Sequence, residues 1–148
     1  MNNADHCRVR VSAAIVRPGD ELLVVRESRL ALAVINLPGG APQISETLEC
    51  AVIREVREET GYHVNPTEIA FVWERRDDRW STPVLEICFY ADIISEARDQ
   101  PAADDGVFAV EWLPLDHRDV RHHMPYAAFF STRRRGRYIG TVVRETIS

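Results

Sequence analysis

The sequence contains no lysine, so all 18 of its positively charged side chains are arginines. Codon bias in a GC-rich genome is the simplest explanation of this absence. A functional explanation requires arginines that face phosphate groups, where the planar guanidinium fork matters. Acidic residues number 23 and set the formal net charge at −5, so the chain lacks the overall basic character of a nucleic-acid-binding protein.

Long apolar runs are also missing. No stretch of about 18 apolar residues occurs, which excludes a transmembrane helix. The polar residues 1–10 carry no apolar segment of the kind that secretory signals need. We therefore expect a cytoplasmic protein that does not act at a membrane, with residues 1–7 as a flexible N-terminus. The three cysteines are far apart without zinc spacing and predict neither a disulfide framework nor a zinc site.

What the chain does have is the size and patterning of one ordinary domain. Its 148 residues, 45% of them hydrophobic, predict a single domain over residues 1–148. The pattern indicates a helix that ends at Gly61 and a shorter helical segment later in the chain, at residues 45–60 and 126–130. Strands before and after one central helix favour an α+β fold with a mixed sheet. The predicted strands are residues 8–16, 21–26, 69–73, 84–94, 107–112 and 138–143.

The central helix concentrates acidic charge. Five of the 13 glutamates lie between positions 46 and 59. At about 100° per residue, Glu55, Glu58 and Glu59 fall among or beside the apolar residues that face the core. Like charges one helical turn apart repel each other, and partial burial adds a desolvation cost. A hard divalent cation would remove both problems; the alternative is a charged helix edge balanced by Arg54 and Arg57.

A longer pattern contains this helix. The spacing from Gly40 to Tyr62 resembles the Nudix box, G-x5-E-x7-R-E-U-x-E-E-x-G-U, in which U is a bulky apolar residue. Tyr62 stands where an aliphatic residue is usual. Gln43 and Ser45 replace a glutamate and a glycine that are frequent but not fixed. Every fixed position is filled, by Gly40, Glu46, Arg54, Glu55, Glu58, Glu59 and Gly61, with Val56 in the first apolar position.

The resemblance implies a Nudix-type α/β/α sandwich and an enzyme that hydrolyses a pyrophosphate bond with Mg²⁺ or Mn²⁺. The substrate class would be a nucleoside diphosphate linked to another moiety, such as a nucleotide sugar or a nucleoside triphosphate. The implied metal ligands are Glu55, Glu58, Glu59 and the Gly40 carbonyl. Arg54 and Glu46 are implied to orient this cluster through a salt bridge. The general base would be one of these glutamates or a later acid: Glu111, Asp104 or Asp105.

Candidate substrate contacts lie outside the box. Arg26 resembles a family position that often touches substrate phosphate. Arg75 and Trp80 belong to a segment where an aromatic ring beside arginines could stack a base and hold phosphates. The region of residues 77–80 carries neither the proline of ADP-ribose enzymes nor the tyrosine of dinucleoside polyphosphate enzymes. Further candidate cations are Arg76, Arg79 and the tract of residues 133–137.

Other functions stay open at this level. One alternative is a non-catalytic Nudix-fold module that binds or senses a nucleotide, although such a module does not need the full carboxylate set. Another is a pyrophosphohydrolase acting on RNA 5′ ends, which the basic residues 133–137 favour and the net charge of −5 disfavours. We expect a small-molecule nucleotide substrate, no nucleic-acid partner and, because many relatives pair, a possible homodimer.

Overall fold

The computed structural model describes residues 6–29, 32–77, 80–96, 106–132 and 136–144. Residues 1–5 of the predicted flexible N-terminus and the candidate bases Asp104 and Asp105 lie outside these ranges. The described elements are β1 (Arg8–Ala14), β2 (Val16–Arg17), β3 (Glu21–Arg29), β4 (Leu32–Asn36), β5 (Gly39–Gly40), α1 (Leu48–Thr60), β6 (Tyr62–Asp77), β7 (Trp80–Glu96), β8 (Val107–Pro114), α2 (Arg118–His123), a 3-10 helix (Pro125–Thr132) and β9 (Arg137–Arg144).

The strands form two sheets. The first has the order β5-β1-β7-β6-β9, in which β1 runs parallel to β7 and β9 runs parallel to β6. The long β6–β7 pair and the short β1–β5 pair are antiparallel, so this sheet is mixed. The second sheet is antiparallel and centres on β3, which pairs with β2, β4 and β8. The prediction of an α+β fold with a mixed sheet is confirmed.

Apolar side chains form two separate cores, one on each side of the sheets. Helix α1 buries Ala51, Val52 and Val56 against residues of β1, β3, β6 and β7. The second core joins the sheets to α2 and the 3-10 helix through Trp73 and Phe130, among other side chains. This layering is the predicted α/β/α sandwich. The described part of the chain contains no helix with the length and apolar character needed to span a bilayer.

Helix α1 begins three residues later than predicted. Its first residue is Leu48, and Thr47 caps it by accepting a hydrogen bond from the Cys50 N–H (3.2 Å). Ser45 has a φ of 70°, a left-handed conformation that places it in the turn before the helix. Gly61 ends the helix as predicted, with a φ of 78° and an N–H that donates to the Arg57 carbonyl.

Strand pairing extends several elements beyond their hydrophobic signal. The predicted strands at 69–73 and 84–94 are parts of one long hairpin, β6 and β7, whose polar ends continue to pair across the sheet. The elements β4, β5 and α2 lay in segments for which the pattern predicted no helix or strand. The later helical segment at 126–130 forms the middle of the 3-10 helix, and the predicted strand at 138–143 lies within β9.

Candidate active site

Helix α1 holds acidic side chains on its buried face. Glu55 and Glu59 are only 7% and 4% exposed, and they share that face with the core residue Val56. The side chain of Glu58 lies at the rim and is 41% exposed. This distribution follows from the helical periodicity, which puts residues 55 and 59 one turn apart above the core.

Arg54 connects the glutamates to one another. Its Nε and Nη2 atoms donate to the two carboxylate oxygens of Glu46 at 2.8 and 3.0 Å. Its Nη1 donates to Glu55 Oε1 at 2.8 Å and to Glu58 Oε2 at 3.2 Å. The hydrogen bonds from Arg54 are the main cause of a lowered pKa at Glu46. A fixed cation therefore holds these carboxylates together although they repel each other.

The loop before the helix approaches the carboxylates through backbone alone. The Gly39 N–H donates to Glu59 Oε2 at 3.0 Å, and Arg54 Nη2 donates to the Ala41 carbonyl at 3.1 Å. A Cβ atom on Gly40 would collide with the carboxylate of Glu55. A side chain at this position would therefore force the Glu55 carboxylate to shift from its contact with Arg54.

A pocket opens between this loop, the helix and strands β1 and β3. Its acidic lining consists of Glu55 and Glu59 from α1 and Glu27 from β3, a side chain that is 6% exposed. Gly39 and Gly40 form another wall. Among the described residues, Arg10 of β1 is the one cationic side chain in the lining.

Burial raises the pKa of Glu59 to about 8. The nearby carboxylates of Glu27 and Glu55 act in the same direction, whereas the Gly39 N–H and the Arg10 guanidinium oppose the shift. The ordinary glutamate pKa is 4.5. The pocket thus penalises a negative charge at Glu59 unless a further positive charge is present.

The donor chemistry of the pocket suits a hard divalent cation. Carboxylate oxygens and the backbone oxygens of a glycine loop are the ligands that magnesium and manganese prefer. Within the part of the chain that the structure describes, no three acidic, histidine or cysteine side chains already converge as ligands of one ion. Arg54 engages oxygens of Glu55 and Glu58, so binding an ion would require these contacts to rearrange.

The predicted substrate residues lie away from this pocket. Arg26 donates to Glu111 at 2.9 Å and to Asp119 at 3.4 Å, an arrangement that joins β3, β8 and α2. Arg75 donates to the buried Glu86 at 3.2 Å. Neither arginine is among the described residues that line the pocket.

Other predicted site residues have different outcomes. The Trp80 backbone begins β7 opposite Asp77, and the Trp80 side chain lies outside the described residues. Glu111, a candidate base, is engaged by Arg26. Arg76 is 61% exposed beside Glu74. The candidates Asp104, Asp105, Arg79 and residues 133–135 lie outside the described residues.

Two pocket residues, Arg10 and Glu27, were absent from the sequence prediction. The alternation of residues 8–11 places Arg10 on the face of β1 opposite the core residue Val11, which is typical of a solvent-facing side chain. These positions face the carboxylates because β1 pairs with β5 and β7 and because β3 lies beside the glycine loop. The available sequence signals were a charged residue within the first strand and another directly after the predicted strand at 21–26.

Comparison with known proteins places this geometry in a family. The model for the NUDIX domain matches residues 7–131. The chain belongs to the Nudix family. The prediction of a pyrophosphohydrolase that acts on phosphorus-containing anhydrides is confirmed at this level.

Three proteins illustrate what this Nudix chain is similar to. It is 33% identical over 122 residues to an "ADP-ribose pyrophosphatase" of Methanocaldococcus jannaschii, covering 78% of this chain and 71% of that one. It is 30% identical over 103 residues to a "NAD-capped RNA hydrolase NudC" of Pseudomonas aeruginosa, covering 69% of this chain but only 34% of the relative. A solved NUDIX hydrolase from Nitrosomonas europaea superimposes with a TM-score of 0.76 at 25% identity, covering 88% of this chain and 93% of that one.

Proposed function

We propose that this Nudix protein hydrolyses, with Mg²⁺ or Mn²⁺, the pyrophosphate bond of a nucleoside diphosphate linked to another moiety. The observation that carries the proposal is the pocket beside the glycine loop, which Glu55, Glu59 and Glu27 all line. Three buried acids around one pocket are costly in the absence of a divalent cation. A bound nucleotide would bring phosphates, which also need that cation.

One group of residues would bind the cation, and a second group would keep the cation's ligands in position. Glu55, Glu58, Glu59 and the Gly40 carbonyl would bind the cation. The cation would neutralise phosphate oxygens and lower the pKa of the attacking water. Arg54, bidentate on Glu46, would keep the helix carboxylates and the loop carbonyl of Ala41 in position. Phosphoryl transfer depends mainly on such positioning and charge stabilisation.

The substrate we place first contains adenosine diphosphate linked to ribose, although residues 77–80 lack the proline that is typical of ADP-ribose enzymes. Two relatives carry names that include this unit, one as ADP-ribose and one as the NAD cap of an RNA. NAD is itself ADP-ribose joined to nicotinamide, so both names share one pyrophosphate linkage. The free nucleotide is favoured over the capped RNA, because the chain covers only 34% of the RNA hydrolase and has a net charge of −5.

A substrate panel tests this proposal. The panel contains ADP-ribose, NAD, a nucleotide sugar, a nucleoside triphosphate and an NAD-capped RNA, each with Mg²⁺, with Mn²⁺ and with EDTA. We expect release of a nucleoside monophosphate from a diphosphate-linked substrate, and no release with EDTA. Tight binding of a nucleotide without turnover would instead identify the non-catalytic module. Faster turnover of the capped RNA than of every small nucleotide would identify the RNA hydrolase.

A further inference from the structure

The pocket of this site contains a cation that the Nudix box does not include. Arg10 lies on β1, outside the box, and its side chain is 13% exposed. Arg10 lines the same pocket as Glu55 and Glu59. The Nη2 atom donates to the Leu37 carbonyl at 2.9 Å, which fixes the plane of the guanidinium beside the strand that leads into the glycine loop.

Arg10 retains unused hydrogen-bonding capacity. Its Nε atom is buried and makes no hydrogen bond, because the nearest carboxylate oxygen, Glu86 Oε1, is 3.6 Å away. This N–H faces the equally buried Glu86 Oε1 and not the pocket. A ligand in the pocket would therefore be bound by the other N–H groups of Arg10, the one cationic residue among the described residues that line it.

On the side away from the pocket, Arg10 shares one buried carboxylate with a second arginine. Glu86 is fully buried, and it also accepts hydrogen bonds from Trp73 Nε1 (2.7 Å) and Arg75 Nη1 (3.2 Å). Two guanidinium groups thus share one carboxylate, and one positive charge is not balanced within this group. Burial lowers the pKa of Arg10, but Glu86 and then the pocket acids Glu59 and Glu27 outweigh burial and raise it. A divalent cation bound to the pocket acids would neutralise part of their negative charge and so weaken their attraction for Arg10.

We propose that Arg10 binds a phosphate oxygen of the substrate, and that Glu86, held by Trp73 and Arg75, positions its guanidinium. The inference rests on the proposed function and adds a substrate contact to it. A phosphate fits the open side of the pocket because its oxygens accept charge-assisted hydrogen bonds from a guanidinium fork. Arg10 would then replace Arg26 and Arg75 as the phosphate contact.

The two arginines on Glu86 provide a matched test. Arg10→Met and Arg75→Met each remove one partner of the same buried carboxylate, but only Arg10 lines the pocket. The probe is α,β-methylene-ADP with Mg²⁺, with its Kd measured by titration calorimetry. Loss of a charged hydrogen bond weakens binding about tenfold or more. We expect that loss in Arg10→Met, a clearly smaller change in Arg75→Met, and the wild-type Kd in the surface control Arg17→Met.

The outcomes separate a binding role from a structural one. Equal weakening in Arg10→Met and Arg75→Met, or no weakening in Arg10→Met, overturns the inference, since Arg10 would then only neutralise Glu86. If Arg10→Met fails to fold by circular dichroism, Arg10→Lys replaces it. Lys keeps the charge but has no planar fork, so we expect its Kd to rise severalfold; an unchanged Kd overturns the inference.

Turnover separates this inference from the proposed function. On the substrate that the panel identifies, Arg10→Met should raise KM more than it lowers kcat, because a ground-state phosphate contact is lost. Normal turnover and a normal KM in Arg10→Met would overturn the role of Arg10 and leave the hydrolase intact. Absence of both turnover and probe binding in the wild type would overturn the proposed function and, with it, the role of Arg10.

Discussion

At the residue scale, the candidate site is a set of like charges held together by one arginine. Arg54 contacts Glu46, Glu55 and Glu58 at distances between 2.8 and 3.2 Å. It does not contact Glu59, whose carboxylate instead accepts the Gly39 N–H. Glu59 is therefore the acid of the cluster that most needs another positive charge.

Binding of Mg²⁺ should release a proton from Glu59. The pKa of Glu59 is about 8, so at pH 7 the metal-free protein carries this proton in most molecules. We expect release of most of one proton at pH 7 and much less at pH 9, measured by calorimetry in buffers of different ionisation enthalpy. Glu59→Gln should abolish the release, and pH-independent release would contradict this account.

The same shift makes the metal-free protein sensitive to alkali. The folded-state pKa of Glu59 lies above its ordinary value of 4.5, so the folded state binds the proton more tightly than the unfolded state. The associated stability is fully present below pH 4.5 and is lost as the pH rises towards 8. Saturating Mg²⁺ should reduce this loss.

A side chain at Gly40 should displace the Glu55 carboxylate. In Gly40→Ala the new Cβ would meet the carboxylate of Glu55, so the loop or the carboxylate must shift. We expect a loss of turnover of tenfold or more, since small displacements of catalytic groups have effects of about this size or larger. Gly19→Ala is the control, because its Cβ would meet nothing within 4 Å and only the positive φ is strained. Full activity in Gly40→Ala would argue against a close loop–helix approach.

The sequence could identify the acids of the site but not all of its lining. Glu55 and Glu59 follow from helical periodicity, because their neighbours in space are also near them in sequence. Arg10 and Glu27 enter the pocket through strand pairing between distant segments, and β3 has an irregular register between Arg26 and Glu27. Periodicity alone does not determine such a shift, which decides the face on which each side chain lies.

At the element scale, Thr47 is the residue on which the start of α1 depends. Its side chain satisfies the Cys50 N–H, one of the amide groups that a helix leaves unpaired at its beginning. Thr47→Ala should lower the free energy of unfolding by about 1 kcal/mol, measured by urea denaturation. Thr47→Ser retains the hydroxyl and should stay near wild type. Equal losses in both variants would mean that the threonine methyl, not the cap, stabilises the helix.

Local patterns predicted the elements that carry strong hydrophobic signals and missed the others. The helix end at Gly61 was predictable because a glycine in the left-handed conformation is a local signal. The hairpin partner β4 and the short helix α2 depend instead on packing, since α2 contributes one fully buried apolar side chain, Val120. The polar ends of β6 and β7 form strands because they pair with each other.

At the scale of the whole molecule, the candidate active-site pocket lies where the α1 layer meets the sheets. The β3 strand contributes Glu27 to that pocket, while its neighbour Arg26 ties the strand to β8 and α2 through Glu111 and Asp119. One strand thus connects the site to the opposite layer of the sandwich. The overall layering was expected from the family resemblance, not from strand periodicity alone.

Binding of Mg²⁺ should stabilise the whole fold. A ligand that binds only the folded state adds about 2.7 kcal/mol at a hundredfold excess over its Kd, which corresponds to a rise in Tm of roughly 5 to 10 °C for a chain of this size. Differential scanning calorimetry should show this rise in the wild type and in Glu49→Gln, whose residue is exposed on the same helix. Glu55→Gln should lose most of it. An equal rise in all three proteins would place the ion elsewhere.

The central claim is that the glutamates of α1 perform metal-dependent hydrolysis of a pyrophosphate bond. Its most direct test compares initial rates of the wild type, Glu58→Gln and Glu49→Gln on the best panel substrate with saturating Mg²⁺. Both variants replace a glutamate of the same helix, but only Glu58 is joined to Arg54 within the candidate site. The account predicts near-wild-type rates for Glu49→Gln and a loss of at least about a hundredfold for Glu58→Gln. Equal rates in the two variants would contradict it.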